Sequence, residues 1–588
     1  MTKRTLPLCD WSAPIPSATP PSFAAERGFS PVVWPLLATR FPDAAQDADA
    51  FGRFLSPRLA HISNPMAFPG IREASAVITD AIASGREIVV FGDFDADGVT
   101  ATAILVSTIR SIGGRVRPFI PLRQEGYGLS DAAVARCLAD GVPSVLVTVD
   151  CGITAADALE RFLALGVRVI VTDHHLPGDT ILPPQCIVAA PHLPGVPEKC
   201  RHICGAGGAF TLAAGIVATC HPDKDADGIA ARRRLFSWLG ALAIATVADV
   251  VPLVGENRTY VSLGLASLNS RPSTGVGQLI LATMDTITVD SRHLGFVLGP
   301  HITSAGRMSS ATLALDLLLA EDPDSARLLA VNLTQTNAMR KAECAKVDAA
   351  VAEQIASPAI FDPAKDGAFV GYAGDWHPGV VGLAAAHACD RLNRPVALVS
   401  FSGGDPGRGS VRAPAGYDVH AALSDCAATL VSFGGHESAA GLVVERKNID
   451  AFRRAFADAC FRQTGSVSLS PSLDIAADLR LSQIDRQLLD SVDSLAPFGE
   501  GNEDPVFAIR DVCASATPFG RETAKGLRLQ ITDGSGANIE GLWFGATEFL
   551  PEFRDGRKWD LAATLLPSDY MGVSSVKLKI VDARPAAR

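Results

Sequence analysis

The stretch IVVFGDFDADGVT, residues 88–100, constrains the fold of this chain more than any other. Ile88, Val89, Val90 and Phe91 form an unbroken apolar run, as in a strand buried on both faces of a parallel sheet. The run leads straight into Asp93, Asp95, Asp97 and Gly98, and a helical apolar spacing (Ala101, Ala103, Ile104, Ile109) follows from Val99. Three carboxylates at alternate positions on one strand-to-helix turn repel one another. A cation or a hydrogen-bond network must offset that repulsion. Capping of the helix by Asp97 accounts for one carboxylate only, whereas metal binding accounts for all three.

Short apolar runs recur at 88–91, 116–120, 145–149, 167–171 and 186–190, most of them separated by helical segments. This alternation predicts an α/β domain with a parallel sheet and helices on both faces. Ligands of such sheets sit outside the carboxyl ends of the strands. SVLVTVD ends in Asp150, followed by Cys151 and Gly152, and VRVIVTDHH ends in Asp173, His174 and His175. Asp249 closes the apolar part of LGALAIATVADVVPLVG, where an aspartate is costly unless it is paired, metal-bound or at a helix end before Pro252. The set Asp95, Asp97, Asp150, His174 and Asp249 suits two divalent cations. Its mixture of carboxylate and imidazole favours manganese, with magnesium as the alternative, over thiolate-type zinc. With Asp150 shared, a pair of ions about 4 Å apart activates water and stabilises both oxygens of an in-line phosphoryl displacement.

At 588 residues the chain exceeds a single core. It reads as a Pro-rich N-terminal arm (1–75), the α/β domain (76–319), a long connector helix (320–358), a second α/β domain (359–467) and a small β-barrel of short strands (468–588). The net charge of −11 does not draw the chain to nucleic acid in bulk, which leaves a local basic groove as the route. Twelve cysteines without framework spacing, no basic-then-apolar leader and no membrane-length apolar run point to reduced thiols in the cytoplasm and no membrane. Cys200, His202, Cys204, Cys220 and His221 fit no common zinc spacing and read as unligated groups.

Several later stretches offer contacts to phosphate. Arg123 stands beside Gly126-Tyr127-Gly128. Arg307 follows GFVLGPHITSAG, which reads as a Gly-rich turn before a helix. RGSVRAPAG and FGGHESAAG read as loops presenting Ser410 and Arg412, and Gly434, Gly435 and His436. Arginine clamps phosphate in two-pronged fashion, and glycines let backbone amides approach an anion. In the C-terminal strands Trp543 and Phe544, with Lys525 and Arg528, are candidates to stack and track a single strand, although for each aromatic taken singly the barrel core is the better reading.

DFDADG, VDCG, TDHH and the helix ending in VADVVPL resemble the four motifs of the DHH phosphoesterase superfamily. The Arg-and-GYG stretch, GPHITSAGR, the Ser-x-Arg pair, GGH and PFGEGNEDPVF resemble the RecJ exonucleases within it. The resemblance implies a DHH domain, a DHHA1 domain and an OB-fold in the order read above. It implies that Asp95 and Asp97 ligate one metal each, Asp150 bridges, and His174 and Asp249 hold the second ion. His175 would face the scissile phosphate, with Asp93 behind the ligands. Many members have a histidine where Phe91 stands, so the first ion would be held more weakly, or use water or another residue such as Asp93; His301 stands where arginine is common. Arg307, Ser410 and Arg412 would form a 5′-phosphate pocket, with Gly435, His436 and Arg123 as further substrate contacts. The implied activity is 5′→3′ hydrolysis of single-stranded DNA to nucleoside 5′-monophosphates in repair and recombination, using two Mn2+ or Mg2+ ions. A single-strand-binding protein and a helicase are the implied partners. A phosphodiesterase or pyrophosphatase for small substrates and a non-catalytic DNA-binding scaffold are the alternatives. The barrel argues against the first and the Asp and His ligands against the second.

Overall fold

The computed structural model describes residues 6–222, 225–285, 288–520, 525–570 and 573–587. Strands β1 (Ile88–Phe91), β2 (Val116–Phe119), β3 (Val145–Val149), β4 (Arg168–Thr172) and β5 (Ile187–Ala189) form a parallel sheet in the order β2-β1-β3-β4-β5. The pleat splits β1 between two cores. Ile88 and Val90 face one, and Val89 and Phe91 face the other. The order reverses direction at β1 and β3, which opens the crevice where sheets of this kind bind ligands. Helix α1 (Ala96–Ser111) leaves that crevice and is buried nearly all round, its small hydroxyl residues Thr100, Thr102, Ser107 and Thr108 included. It is enclosed by α2 (Gly205–Cys220) and α3 (Leu239–Ala248), which explains why its sequence lacks a polar face.

Two local readings need correction. The cap of α1 is Asp95, which accepts from the amides of Asp97 and Gly98 at 2.9 and 3.1 Å; Asp97 lies inside the first turn. The stretch before Arg307 is helical, a π-turn at Leu294–Leu298 running into α4 (Gly299–Met308), with Arg307 in the last turn. Its glycines serve contact rather than turning. A Cβ at Gly306 would lie 2.3 Å from the Phe94 carbonyl oxygen, and Pro300 is tolerated because it sits in the first turn.

Helix α5 (Pro323–Ala356) is the connector, about 50 Å long at 1.5 Å per residue. Ala326, Ala330 and Leu333 pack into the first core, and Cys344, Val347 and Val351 into the next domain. That domain contains β6 (Phe369–Ala373), α6 (Val381–Leu392), β7 (Val396–Ser400), β8 (Gly407–Arg412), β9 (Ser432–Gly435) and β10 (Ala439–Val444), with sheet order β9-β10-β8-β7-β6. Ser410 and Arg412 therefore lie on a strand paired on both sides, not on a loop, and Gly434 and Gly435 end a second strand.

Strands β11 (Ile475–Leu479), β12 (Val506–Phe519), β13 (Gly526–Thr532), β14 (Asn538–Phe544), β15 (Lys558–Tyr570) and β16 (Val573–Pro585) follow in the order β11-β12-β13-β14-β16-β15. Pairing of β12 with β15 closes a barrel and removes its edges. The N-terminal segment wraps onto this barrel. Asp10–Trp11 pairs with Ser472–Leu473, Asp582 accepts from the amides of Leu8 and Cys9 and from Trp11 Nε1, and Phe29, Trp34 and Phe51 share a core with Phe507 and Trp559. Among the described residues no helix is long and apolar enough to cross a membrane.

Candidate active site

The ends of β1, β3 and β4 and the C-terminus of α3 bring their acidic and imidazole groups together. Ligand atoms of Asp93, Asp95 and Asp150 lie within 4.8 Å of one another, as do those of Asp97, His174 and Asp249, and those of Asp150, His174 and His175. His174 Nε2 is 3.1 Å from Asp150 Oδ1, 3.5 Å from Asp249 Oδ2 and 3.9 Å from Asp97 Oδ2. Asp93 Oδ1, Asp150 Oδ1, His174 Nε2 and Asp249 Oδ2 are buried and make no hydrogen bond. Buried polar atoms are rarely left so. Four of them converging identify a cradle whose donor set, carboxylate oxygens with one imidazole, fits manganese or magnesium. The resemblance put Asp93 behind the ligands; in the structure one of its carboxylate oxygens lies within 4.8 Å of ligand atoms of Asp95 and Asp150. Phe91 cannot contribute, being fully buried and stacked on Phe119 at 4.8 Å.

The local folding explains the convergence. Asp150 adopts φ 59°, a left-handed conformation that aspartate tolerates better than most residues. Asp97 accepts from the amides of Gly205 and Ala206 at 2.6 and 2.8 Å, at the positive end of α2. Burial, reinforced by neighbouring carboxylates, holds Asp93, Asp97 and Asp150 above the usual aspartate range and pushes Asp249 up to about 10. Burial also lowers the basicity of His174, so it presents a neutral nitrogen. These upward shifts favour the protonated forms of Asp93, Asp97, Asp150 and Asp249 when no cation is bound, so a divalent ion would compete with protons here.

His175 is set differently. Its Nδ1 is 2.8 Å from Asp173 Oδ1, and its Nε2 is 3.4 Å from the Tyr127 hydroxyl, which donates to the Asp150 carbonyl at 3.2 Å. Burial tends to lower the His175 pKa, but the Asp173 hydrogen bond and charge outweigh it and raise it. Asp173 is held in turn by the amides of Ile153 and His175. Neither Asp173 nor Tyr127 was singled out from the sequence as a site residue. Their only signals were adjacency to His174 and the glycines flanking Tyr127.

A cluster of arginines borders this pocket. Arg123 stacks its guanidinium 4.1 Å from the Phe94 ring and donates to the Gly306 carbonyl. Arg307 donates to the Gly379 carbonyl of the second α/β domain. Arg412 donates to Ser410 Oγ at 2.8 Å. Burial and the nearby Arg123, Arg412 and Arg340 bring the Arg307 pKa down to about 10, with Asp95 opposing. Cations crowded in this way favour an anionic ligand. Gly435 and His436 are exposed at the β9–β10 hairpin, and β10 pairs with β8 so that Ala439 faces Arg412. His301 is buried and bonded to the Val297 carbonyl within its helix.

Trp543 is a correction. It is buried and stacked on Phe549 at 5.3 Å, a barrel-core residue with no face left for a base. Its neighbour Phe544 points outward and is half exposed. Arg528 lies 3.8 Å from Glu540. Cys200, Cys204 and Cys220 bond separately to Ser63, Thr246 and Thr79, and among the described residues they join no convergent ligand group.

The DHH family N-terminal domain matches residues 87–219, the DHHA1 domain residues 365–462 and the RecJ OB domain residues 475–582. The single-stranded-DNA-specific exonuclease RecJ of Dickeya dadantii is 32% identical over 526 residues, covering 87% of this chain and 90% of the relative. The chain belongs to the RecJ exonuclease family. RecJ from Thermus thermophilus in complex with Mn2+ superposes with a TM-score of 0.76 at 29% identity, over 98% of this chain and 80% of that one. Its complex with Mg2+ gives 0.70 at 27% identity, over 98% and 79%. The RecJ match thus extends well past the DHH segment, which ends before Asp249 and Arg307. Asp249 caps the C-terminus of α3 and Arg307 lies in the last turn of α4, so both candidates named from the sequence reach the pocket from helix ends.

Proposed function

We propose that this chain is a 5′→3′ exonuclease that hydrolyses single-stranded DNA to nucleoside 5′-monophosphates in repair and recombination. The observation that carries the reading is a set of unpaired buried ligand atoms beside arginines drawn from two domains. Asp93, Asp95 and Asp150 would hold one divalent ion and Asp97, His174 and Asp249 a second, with Asp150 reaching both. Ions bound there supply water activation and charge neutralisation for in-line displacement at phosphorus. His175, oriented by Asp173 and made more basic by it, would donate a hydrogen bond to the scissile phosphate. Arg123 holds an adjacent phosphate.

Polarity follows from Arg307, Ser410 and Arg412, which take the 5′-terminal phosphate, while Gly435 and His436 contact the strand beside it. Guanidinium groups suit a dianionic terminal phosphate through paired hydrogen bonds. The parts then act in order: the 76–319 catalytic unit, the 320–358 connector, the 359–467 unit that completes the end pocket, and the 468–588 barrel that receives the strand, with residues 6–55 bracing the barrel and Phe68, Ile71 and Ala74 joining the catalytic core. Phe544 offers the barrel's stacking face. A helicase and a single-strand-binding protein are the partners such a substrate calls for, and twelve unpaired cysteines suit a cytoplasmic setting.

The test is degradation of a 3′-labelled, 5′-phosphorylated single strand with Mn2+ by the wild type and Asp150→Ala. Progressive shortening of the labelled strand by the wild type alone is expected. Immediate release of labelled mononucleotide would reverse the polarity. Cleavage by neither protein would favour a scaffold, and faster turnover of dinucleotides than of long strands a small-substrate phosphodiesterase.

A further inference from the structure

Away from the active site, one more group of ligand atoms converges among the described residues: Cys344, Asp348 and His387. Cys344 and Asp348 are one turn apart on α5 and share a face, and His387 comes from α6. Cys344 Sγ is 3.8 Å from Asp348 Oδ2 and 3.9 Å from His387 Nδ1. His387 Nδ1 is 3.2 and 3.0 Å from the two Asp348 oxygens. Zinc bonds of about 2.0–2.3 Å in a tetrahedron place neighbouring donors roughly 3.4–3.6 Å apart. The observed separations bracket that spacing.

The donor set differs in kind from the catalytic one. Thiolate with imidazole selects zinc, whereas the catalytic carboxylates suit manganese and magnesium. We propose that Cys344, Asp348 and His387 bind one Zn2+, with a fourth position open to water or an external ligand. Cys344 forms the buried floor, while the Asp348 and His387 side chains are 37% and 55% exposed, so an ion enters from solvent. Burial and Asp348 push the Cys344 thiol up to about 11, with Arg340 on the same helix and Arg307 from α4 pulling it back. Zinc therefore displaces a proton on binding.

The site ties the connector to the helix behind the proposed phosphate pocket. A Cβ at Gly382 in the first turn of α6 would lie 3.1 Å from Ser410 Oγ and 3.3 Å from an Arg412 guanidinium nitrogen. Zinc bridging α5 and α6 restrains that helix against the strand carrying Ser410 and Arg412.

The test titrates the full chain with Co2+ in excess Mg2+, which keeps the catalytic carboxylates occupied. One equivalent should produce a near-ultraviolet thiolate-to-cobalt charge-transfer band, bleached one for one by Zn2+. Cys344→Ser should abolish the band. His387→Ala and Asp348→Asn should each weaken metal binding by at least the roughly 10–100-fold that loss of a ligand's outer partner costs. No band in the wild type, or an undiminished band in Cys344→Ser, overturns the proposal. Unchanged affinity in both His387→Ala and Asp348→Asn also overturns it, because the thiol then acts alone. Circular dichroism confirms that each variant is folded, and the half-exposed His387 keeps the test open should Cys344→Ser fail to fold.

Discussion

Asp97 and Gly205 lock the first helix of the catalytic domain to the amino end of α2: the Asp97 carboxylate accepts the Gly205 amide at 2.6 Å. The same glycine backs onto Asp150, where a Cβ would lie 2.5 Å from the Asp150 Cβ and 2.7 Å from its Oδ1. Residue 205 thus positions two of the carboxylates proposed to bind metal.

Gly205→Ala should therefore displace Asp150. Overpacking of this kind costs about 1–3 kcal/mol, measurable as a shift in the denaturant midpoint. Mn2+ affinity, read by isothermal titration, should fall at least tenfold. Unchanged affinity would show that Asp150 is not held against α2.

Metal and pH should act on stability together. The ordinary aspartate pKa is about 3.9, whereas burial and repulsion by Asp97 and Asp95 hold Asp249 up at about 10, with Asp93, Asp97 and Asp150 also raised. Between those limits the metal-free folded protein keeps protons that the unfolded chain has released. The stability that protonated Asp249 contributes is complete below about pH 4 and is lost as pH rises through about 10, and the other raised carboxyls add in the same direction. Thermal midpoints in EDTA should fall across that window, and Mn2+ should raise the midpoint most at its alkaline end. A midpoint in EDTA that rises with pH would contradict the buried, protonated cluster.

Arg412→Ala should reduce the preference for 5′-phosphorylated over 5′-hydroxyl ends about 10–100-fold, equivalent to the 1.5–3 kcal/mol of a charged hydrogen bond. Mn2+ affinity should stay within twofold. Equal cleavage of both ends by the wild type would remove the end-pocket assignment altogether.

The adjacent aromatics Trp543 and Phe544 should separate cleanly. Trp543→Ala empties a core position and should destabilise the fold by about 3–5 kcal/mol. Phe544→Ala should leave stability within about 0.5 kcal/mol and weaken single-strand binding by about 1–3 kcal/mol. Fluorescence anisotropy with an oligonucleotide, alongside chemical denaturation, reads both.

Linear patterning specifies the sheet and the chemistry at its edge. The runs predicted at 88–91, 116–120, 145–149, 167–171 and 186–190 appear as β1 to β5 within a residue or two; the central β1 and β3 are buried throughout and continuously apolar, whereas β2 and β5 are partly exposed edge strands. Asp93, Asp95, Asp97, Asp150, His174 and His175 lie where those runs end, since side chains just past parallel strands share one edge. Local patterning could not decide what depends on distant contacts. Glycines before Arg307 read as a turn, but one of them lets α4 rest on Phe94, and RGSVR read as a loop because nothing local shows that β8 is bonded on both sides. Three-dimensional packing assigned Trp543 to the core and Phe544 to the surface, set Asp173 behind His175, and placed Arg307 beside Gly379. Arg307 and Gly379 are joined only by packing, and even the near neighbours Asp173 and His175 pair through side-chain orientation; burial and distance set these energies, and a linear pattern does not contain them.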